Sequence, residues 1–399
     1  MKVKNGLTDL ILFGKHTRKR NSLFKSASAE IPSDGAMNRL ASRLHPAVQR
    51  LQVDHITEET ADIRTFRLSA ADGADLAPFR AGQYLSLTYE YQGLLISRPY
   101  SISSTPSQVF RGNYYDITIR KAAGNAFFSE AAFSEWREGT RVLSSAPNGA
   151  FYYEPQRDSD SLICIAGGSG VTPFRSMIEE ELEKRESMKI ALFYGIGAEN
   201  DEAFGEEFRS LSGRWGGRFV YIPVVQSPTE SWTGKKGFIS LDLIKEALGV
   251  ENVQESSFFI CGPEGLHSFM DHELEPLQRP SKFIRRENYG IAAGDSNGKI
   301  YKLTVMTRGA RRIIDAAAGE SLVTAIERAG LAPPAWCRSG DCGWCRSRLI
   351  EGEITTDDSL TGLRAADSKF GWIHPCVSYP ASDITLEVPS NPIIYSYYG

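Results

Sequence analysis

From Leu51 onward the chain reads as short alternations of apolar and polar residues. Ile63-Arg64-Thr65-Phe66-Arg67-Leu68, Tyr84-Leu85-Ser86-Leu87-Thr88-Tyr89 and Tyr115-Asp116-Ile117-Thr118-Ile119-Arg120 each keep a period of two. Turn formers separate the runs, among them Asp72-Gly73 and Arg111-Gly112-Asn113. Closely spaced half-buried strands of this kind predict a small antiparallel β-barrel over residues 51–155. At Ser161 the rhythm changes to strand, helix, strand. Leu162–Ala166 is a buried strand, Pro173–Arg185 a helix and Ile190–Tyr194 the next strand; Phe219–Val225 and Ser257–Cys261 follow. That alternation predicts an α/β domain with a parallel sheet over 156–294. Asp295-Ser296-Asn297-Gly298 reads as a linker, and a compact α+β module occupies 299–390. No internal repeat is visible.

Residues 1–50 fit none of these patterns. Lys15, Arg18, Lys19 and Arg20 form a basic cluster, followed by the small-residue run Ser26-Ala27-Ser28-Ala29. Asp34 is placed to cap a short helix from Met37 to Leu44, which His45-Pro46 ends. The segment reads as a basic N-terminal extension, an arm with one docked helix. Its cations beside apolar residues also suit docking to a partner or a membrane.

With 399 residues, two or three domains are expected. A content of 41% hydrophobic and 24% charged residues excludes a disordered chain, a collagen-like fibre and a disulfide-stapled miniprotein. The net charge of −4 hides an asymmetry: residues 1–50 carry +7, residues 51–297 carry −11, and the remainder is neutral. A negative body argues against nucleic acid as a partner. No run approaches the roughly 18 apolar residues of a transmembrane segment. Met1-Lys2-Val3-Lys4 leads into a short apolar patch without a cleavage site, so no secretory signal is expected and the location is read as cytoplasmic.

Six cysteines are present, at 164, 261, 337, 342, 345 and 376. Four cluster near the C-terminus, a pattern that favours metal ligation over a disulfide framework. Cys337-x4-Cys342-x2-Cys345 with a distant Cys376 matches plant-type [2Fe–2S] spacing. Structural zinc, the weaker alternative, typically shows paired two-residue spacings. Gly340 and Gly343 give the loop the freedom to turn sharply and aim N–H groups at the sulfurs. The segment from Ala335 to Cys345 resembles the plant-type ferredoxin loop, and the likeness continues through Glu351-Gly352 to Cys376. It implies a β-grasp-like fold. Trp344 departs from the small residue usual there and is expected to lie partly exposed beside the cluster. Arg338, Arg346 and Arg348 offer either a basic docking face or a solvated surface, and His374 is read as a surface residue.

Arg98-Pro99-Tyr100-Ser101 at the end of a barrel strand resembles the flavin motif of the ferredoxin–NADP reductase superfamily. The resemblance implies that Arg98 pairs with a flavin phosphate, Tyr100 packs on the isoalloxazine and Ser101 hydrogen-bonds near N5. An Arg fork, an aromatic face and a hydroxyl suit those tasks. Phe79 to Tyr84 resembles the turn preceding that motif, with Ala81 where Pro is common. Lys121 and Gly124 through Ser129 resemble the segment whose helix N-terminus receives flavin phosphates, with a spacing one residue longer than usual.

Gly167-Gly168-Ser169-Gly170-Val171-Thr172-Pro173 joins a strand to a helix. Its glycines admit a dinucleotide pyrophosphate to the backbone and to the helix N-terminus. The family position beside the nicotinamide falls on Thr172. Cys261-Gly262-Pro263 ends a later strand and resembles the motif that sets Cys261 between flavin N5 and nicotinamide C4. Arg286-Glu287-Asn288-Tyr289 resembles the family's acidic–aromatic domain ending, which makes Glu287 a further active-site candidate. Cys164 is read as core.

The likeness covers residues 51–390, in the order flavin barrel, nicotinamide domain, ferredoxin. It implies an NAD(P)H-dependent oxidoreductase that passes electrons through a flavin and a [2Fe–2S] cluster, one at a time, to a downstream acceptor protein such as a terminal oxygenase or reductase. FAD is favoured over FMN. NADH is favoured over NADPH, because Gly195 to Asp201 carries no cation, although Arg214, Lys235 and Lys236 could supply one. The alternatives are an electron-transfer or redox-sensing subunit of a larger complex, or a direct reductase of small acceptors. No nucleophilic triad is recognisable.

Overall fold

The computed structural model describes residues 6–27, 35–122, 127–288, 298–356 and 362–391. The chain forms two compact units, residues 1–42 and 43–399. The first unit holds a helix, Gly6–Ser26, and most of a second, Ala36–Leu44. Sequence reading anticipated the second helix and took the first for an irregular arm. Only Gly14 weakens Gly6–Ser26 and no proline interrupts it, so local propensity carries a helix through the basic cluster. Asp34, the expected cap, lies outside the described residues, as do Ser28, Ala29 and residues 295–297 of the linker.

Within the second unit the first sheet contains β1 (Gln49–Glu58), β2 (Ile63–Ala70), β3 (Tyr84–Tyr91), β4 (Leu94–Ser101), β5 (Tyr114–Arg120) and β6 (Arg141–Ser144). Its order is β4-β3-β6-β1-β2-β5, antiparallel throughout. A bridge between Ile102 and Ile117 draws its two edges together into a half-barrel. Inward residues Leu51, Phe66, Leu85 and Tyr115 fill it, and Trp136 packs edge-on against Phe66 and Phe128.

The second sheet is parallel, with β7 (Ser161–Gly167), β8 (Lys189–Ile196), β9 (Phe219–Val225), β10 (Lys235–Lys236), β11 (Ser257–Gly262) and β12 (Ile284–Asn288) in the order β10-β9-β8-β7-β11-β12. Its central strands are apolar on both sides, as helices on both faces require. Cys164 and Leu162 join the core with Phe174 and Phe208, while Ile163 and Ile165 join the opposite core with Ile244 and Met270. Strand order reverses beside β7 and β11, and the crevice at such a switch point is where ligands bind.

The third sheet is mixed. It holds β13 (Ile300–Thr307), β14 (Ala310–Ala317), β15 (Ser347–Glu351), β17 (Trp372–Ile373) and β19 (Ile384–Glu387), in the order β14-β13-β19-β15-β17. Strands β13 and β19 run parallel and the other pairs antiparallel. A side ribbon pairs β16 (Ile354–Thr356) with β18 (Ser378–Pro380). The helix Leu322–Arg328, capped by Ser321, buries Leu322, Ala325 and Ile326 against the sheet.

That helix also carries Glu327, which is 4% exposed and faces the half-barrel. Its carboxylate accepts from Arg98 Nη1 at 2.9 Å and from the Ser97 backbone N–H at 3.2 Å, both on β4, and from Arg338 in the cysteine-rich loop. Beside it, the buried hydroxyls of Ser86 and Ser97 both donate to the Ala335 carbonyl, at 3.4 and 3.1 Å. The buried carboxylate therefore needs two guanidinium partners, one from the half-barrel and one from the cysteine-rich loop. Removing one partner of a buried ion pair typically costs about 3–5 kcal/mol. Glu327→Ala is expected to lower stability by roughly 3 kcal/mol, with Glu327→Gln retaining part of the loss. Urea unfolding followed at both the flavin and cluster absorbance bands would measure this, and an unshifted midpoint would contradict the assignment.

Candidate functional site

Strand pairing assembles the first part of the site. In-register pairing of β11 with β12 sets Glu287 beside Cys261. The end of β4 brings Ser101, whose hydroxyl donates to Glu287 Oε2 at 3.0 Å, with Cys261 Sγ 3.9 Å from the same oxygen. Glu287 keeps some surface, and this surface faces a cavity of about 360 Å³. Tyr84, Pro99 and Ser101 come to the cavity from the half-barrel, Arg157 and Glu287 from the parallel-sheet region, and Cys337, Ser339 and Asp341 from the cysteine-rich loop. Desolvation pushes the Glu287 carboxyl up to about 8, and the nearby Asp341 carboxylate adds to that push, against hydrogen bonds from Ser101 and Cys261.

A larger cavity of about 690 Å³ opens at the switch point. Gly167, Gly168, Gly262 and Pro263 line it, together with Asp201, Phe238 and Arg120. The close approach of two backbones shapes this end. A Cβ on Gly170 would lie 2.2 Å from the Cys261 carbonyl oxygen, so only glycine lets the loop sit against β11. Gly168 adopts φ +53° with Arg120 Nη1 directly beside it. This crevice, a glycine turn leading into the helix Thr172–Lys184, fits a dinucleotide pyrophosphate.

The cysteine-rich loop wraps around four free thiols. Cys345 Sγ and Cys376 Sγ stand 3.3 Å apart, and Cys337 lies beside both Cys342 and Cys376. The backbone N–H groups of Ser339 and Cys342 point at Cys337 Sγ from 3.5 and 3.4 Å, and that of Trp344 points at Cys342 Sγ from 3.4 Å. Neighbouring thiols, then backbone donors, pull the Cys337 thiol down. Four thiols ringed by N–H donors fit an iron–sulfur cluster.

Three families match the chain in succession: the oxidoreductase FAD-binding domain over residues 50–153, the oxidoreductase NAD-binding domain over 164–272 and the 2Fe-2S iron-sulfur cluster binding domain over 305–381. The chain is a ferredoxin–NADP reductase-type flavoenzyme with a C-terminal [2Fe–2S] domain. NADH oxidoreductase HCR of Escherichia coli (strain K12) is 28% identical over 344 residues, which span 84% of this chain and 97% of that protein. The glycine betaine monooxygenase reductase subunit of Pseudomonas aeruginosa (strain UCBPP-PA14) is 24% identical over 349 residues, 83% of this chain and 93% of that one. The structure of phthalate dioxygenase reductase has the same fold, with a TM-score of 0.62 at 24% identity over 86% of this chain and 98% of that one. This reductase is therefore an NAD(P)H-dependent oxidoreductase that moves electrons by way of FAD and a [2Fe–2S] cluster.

The reductase gathers some of its anticipated residues on the cavity walls and keeps others behind them. Pro99, Ser101 and Glu287 line the smaller cavity, and Gly167, Gly168, Gly262 and Pro263 line the larger. Cys261, Gly170 and Val171 are buried immediately behind. Thr172 is also buried, its hydroxyl turned back to the Ser169 carbonyl at 2.6 Å. Tyr100 packs against Phe128, with ring centroids 5.4 Å apart. Ser129 is buried at the start of the helix Phe127–Ser134, where its hydroxyl accepts from the Ala122 N–H, and Lys121 is exposed. Gly124 and Tyr289 lie outside the described residues.

Around the cluster loop the structure departs from expectation. His374 is 2% exposed rather than on the surface, and its Nδ1 donates to the Gly340 carbonyl at 2.7 Å, pinning the loop. Arg338 is buried on Glu327, while Arg346 pairs with Asp367 at 2.6 Å and lies over the Trp372 ring. Arg348 alone of the three arginines is exposed, so they do not form a basic docking face. Trp344 is half-buried as anticipated, stacked on Trp336 at 3.7 Å. Sequence reading missed Arg120 and Asp201, which are ordinary strand-end and loop residues until the fold sets them at the crevice. It also missed His267, whose Nε2 lies 3.2 Å from the carbonyls of both Gly262 and Glu287.

The raised Glu287 carboxyl has a sign that can be checked. Between its ordinary value of 4.5 and about 8 the folded chain holds a proton that the unfolded chain has lost. Stability therefore falls as pH rises across that window and levels off above it. Glu287→Gln is expected to flatten the dependence of the thermal midpoint between about pH 5 and pH 8. Parallel pH profiles for the variant and the parent would show that the carboxyl is not desolvated.

Proposed function

We propose that this reductase oxidises NADH and delivers electrons singly to a separate acceptor protein, such as a terminal oxygenase or reductase, working through modules at 51–155, 156–294 and 299–390. The observation that carries the reading is the shared cavity, with Ser101, Glu287 and the cluster ligand Cys337 on its walls. Flavin held there supplies the conversion of a two-electron donor into single electrons, and the cluster supplies their exit. Arg98, Lys121 and Ser129, with Gly124, are the groups that would hold the flavin phosphates, and Pro99 and Tyr100 are those that would flank the ring. The Ser101 hydroxyl and the Glu287 carboxyl, hydrogen-bonded at 3.0 Å, would hold a proton beside a bound flavin. Gly167, Gly168, Gly170, Val171, Gly262 and Pro263 form the backbone cradle for the dinucleotide, while Thr172 and Cys261 set its reacting end. Cys337, Cys342, Cys345 and Cys376 hold the cluster.

The preference for NADH rests on Asp201, whose carboxylate lines the dinucleotide cavity and would repel a 2′-phosphate. The cations that could reverse it are paired: Arg120, which lines the cavity, with Asp62 at 2.7 Å, Arg214 with Glu179 and Glu183, and Lys235 with Glu246 at 2.9 Å. Lys236 is exposed and stands outside the walls of the cavity. Asp201→Ser is expected to raise kcat/KM for NADPH by about 5- to 10-fold, the value of one removed like charge. An unchanged NADH:NADPH ratio would remove Asp201 from the site.

Cys376→Ser tests the relay. The variant is expected to keep NADH–ferricyanide activity, which needs the flavin alone, and to lose at least about 10-fold of its cytochrome c reduction together with the cluster absorbance. Cytochrome c reduction at the parent rate without the cluster would overturn the single-electron exit.

A further inference from the structure

The helix Gly6–Ser26 has an arrangement of side chains that no protein groove would satisfy. Leu10, Ile11, Leu12 and Phe13 are 74%, 56%, 52% and 72% exposed. Successive residues on a helix turn by about 100°, so these four point to all sides of the axis. A groove or a partner helix covers one face and would leave the other side chains in water.

Directly after this apolar collar comes a cationic one. Lys15, Arg18, Lys19 and Arg20 are exposed, with Lys15, Arg18 and Lys19 on one side of the axis, and Asp9 is the sole acid of the helix. The step from Phe13 to Arg20 is about 10 Å along the axis at 1.5 Å per residue. No helix among the described residues is long and apolar enough to cross a membrane. The net charge of +7 over residues 1–50, against −11 over 51–297, confines attraction for an anionic surface to this end of the chain.

We propose that the helix Gly6–Ser26 is an interfacial anchor for an anionic phospholipid surface. The Leu10–Phe13 collar enters the acyl boundary and the Lys15–Arg20 collar lies at the phosphates. Arg20 already stands over the Phe24 ring at 5.3 Å, which gives that exposed aromatic a cationic cover at headgroup depth. The substrate of such an anchored reductase need not be a lipid. Anchoring confines electron delivery to acceptors at the same surface.

The test is co-sedimentation of the full-length holoprotein with vesicles of phosphatidylcholine alone and of phosphatidylcholine mixed with phosphatidylglycerol. Binding to the anionic vesicles is expected to exceed binding to the neutral ones by at least about 10-fold and to weaken as salt rises. Replacing Lys15, Arg18, Lys19 and Arg20 together by Gln should abolish that preference, at roughly 5-fold per removed charge. Leu10→Ser with Phe13→Ser should lower binding to anionic vesicles at least about 10-fold. Both variants should retain parental NADH–ferricyanide activity, which reports an intact body. No binding by the parent, equal binding to both vesicle types, or anionic binding undiminished in either variant would each overturn the anchor.

Discussion

The site depends on a carboxylate that no single sheet can neutralise. Glu327 lies on the ferredoxin helix, buried to 4% exposure, and draws Arg98 from the half-barrel and Arg338 from the cluster loop onto its two oxygens. A charge in that position is tolerable only when fully paired. Satisfying it therefore presses the cluster loop against β4, the strand that ends in Ser101. Arg338 adopts φ +56°, a conformation costly for a residue with a Cβ, and its ion pair holds it there. Burial and the nearby Arg98 lower Arg338 to about 10, which leaves it charged at neutral pH. Cys337 reaches the wall of the shared cavity as a consequence.

The nicotinamide side is held to the half-barrel by similar means. Arg175, on the helix that follows the glycine turn, reaches Asp116 at 3.6 Å and Glu207 at 2.9 Å. Ser176 donates to the Ser104 carbonyl at 2.7 Å. These contacts fix the helix N-terminus relative to the flavin strand, while the Gly170 approach fixes it relative to Cys261. The two cavities thus share a rigid frame in which Glu287 and Cys261 belong to neighbouring strands. Pre-set geometry of this kind is what a protein contributes when its cofactors carry the chemistry.

Much of this was legible in the chain. Period-two runs gave the antiparallel sheet, strand–helix alternation gave the parallel one, and the cysteine spacing marked the cluster, because each signal is local. Features made by tertiary contact were not legible. Glu327 reads as an ordinary charge in the last turn of a helix because Arg98 stands on another sheet, and Arg338 reads as surface because nothing local marks its turn back onto that helix. His374 looks like a solvated residue beside Cys376 until the loop folds over it. Arg98 carries a motif that speaks of phosphate, whereas its pairing with Glu327 exists only once the ferredoxin domain docks. The first helix escaped notice because its apolar residues follow no amphipathic period.

The central claim is that one cavity couples a hydride acceptor to a one-electron exit. An anaerobic titration of the holoprotein with NADH, followed by visible absorbance, tests it most directly. The account predicts that the flavin and [2Fe–2S] bands bleach together. Bleaching of the flavin alone, with the cluster bands unchanged, would contradict it.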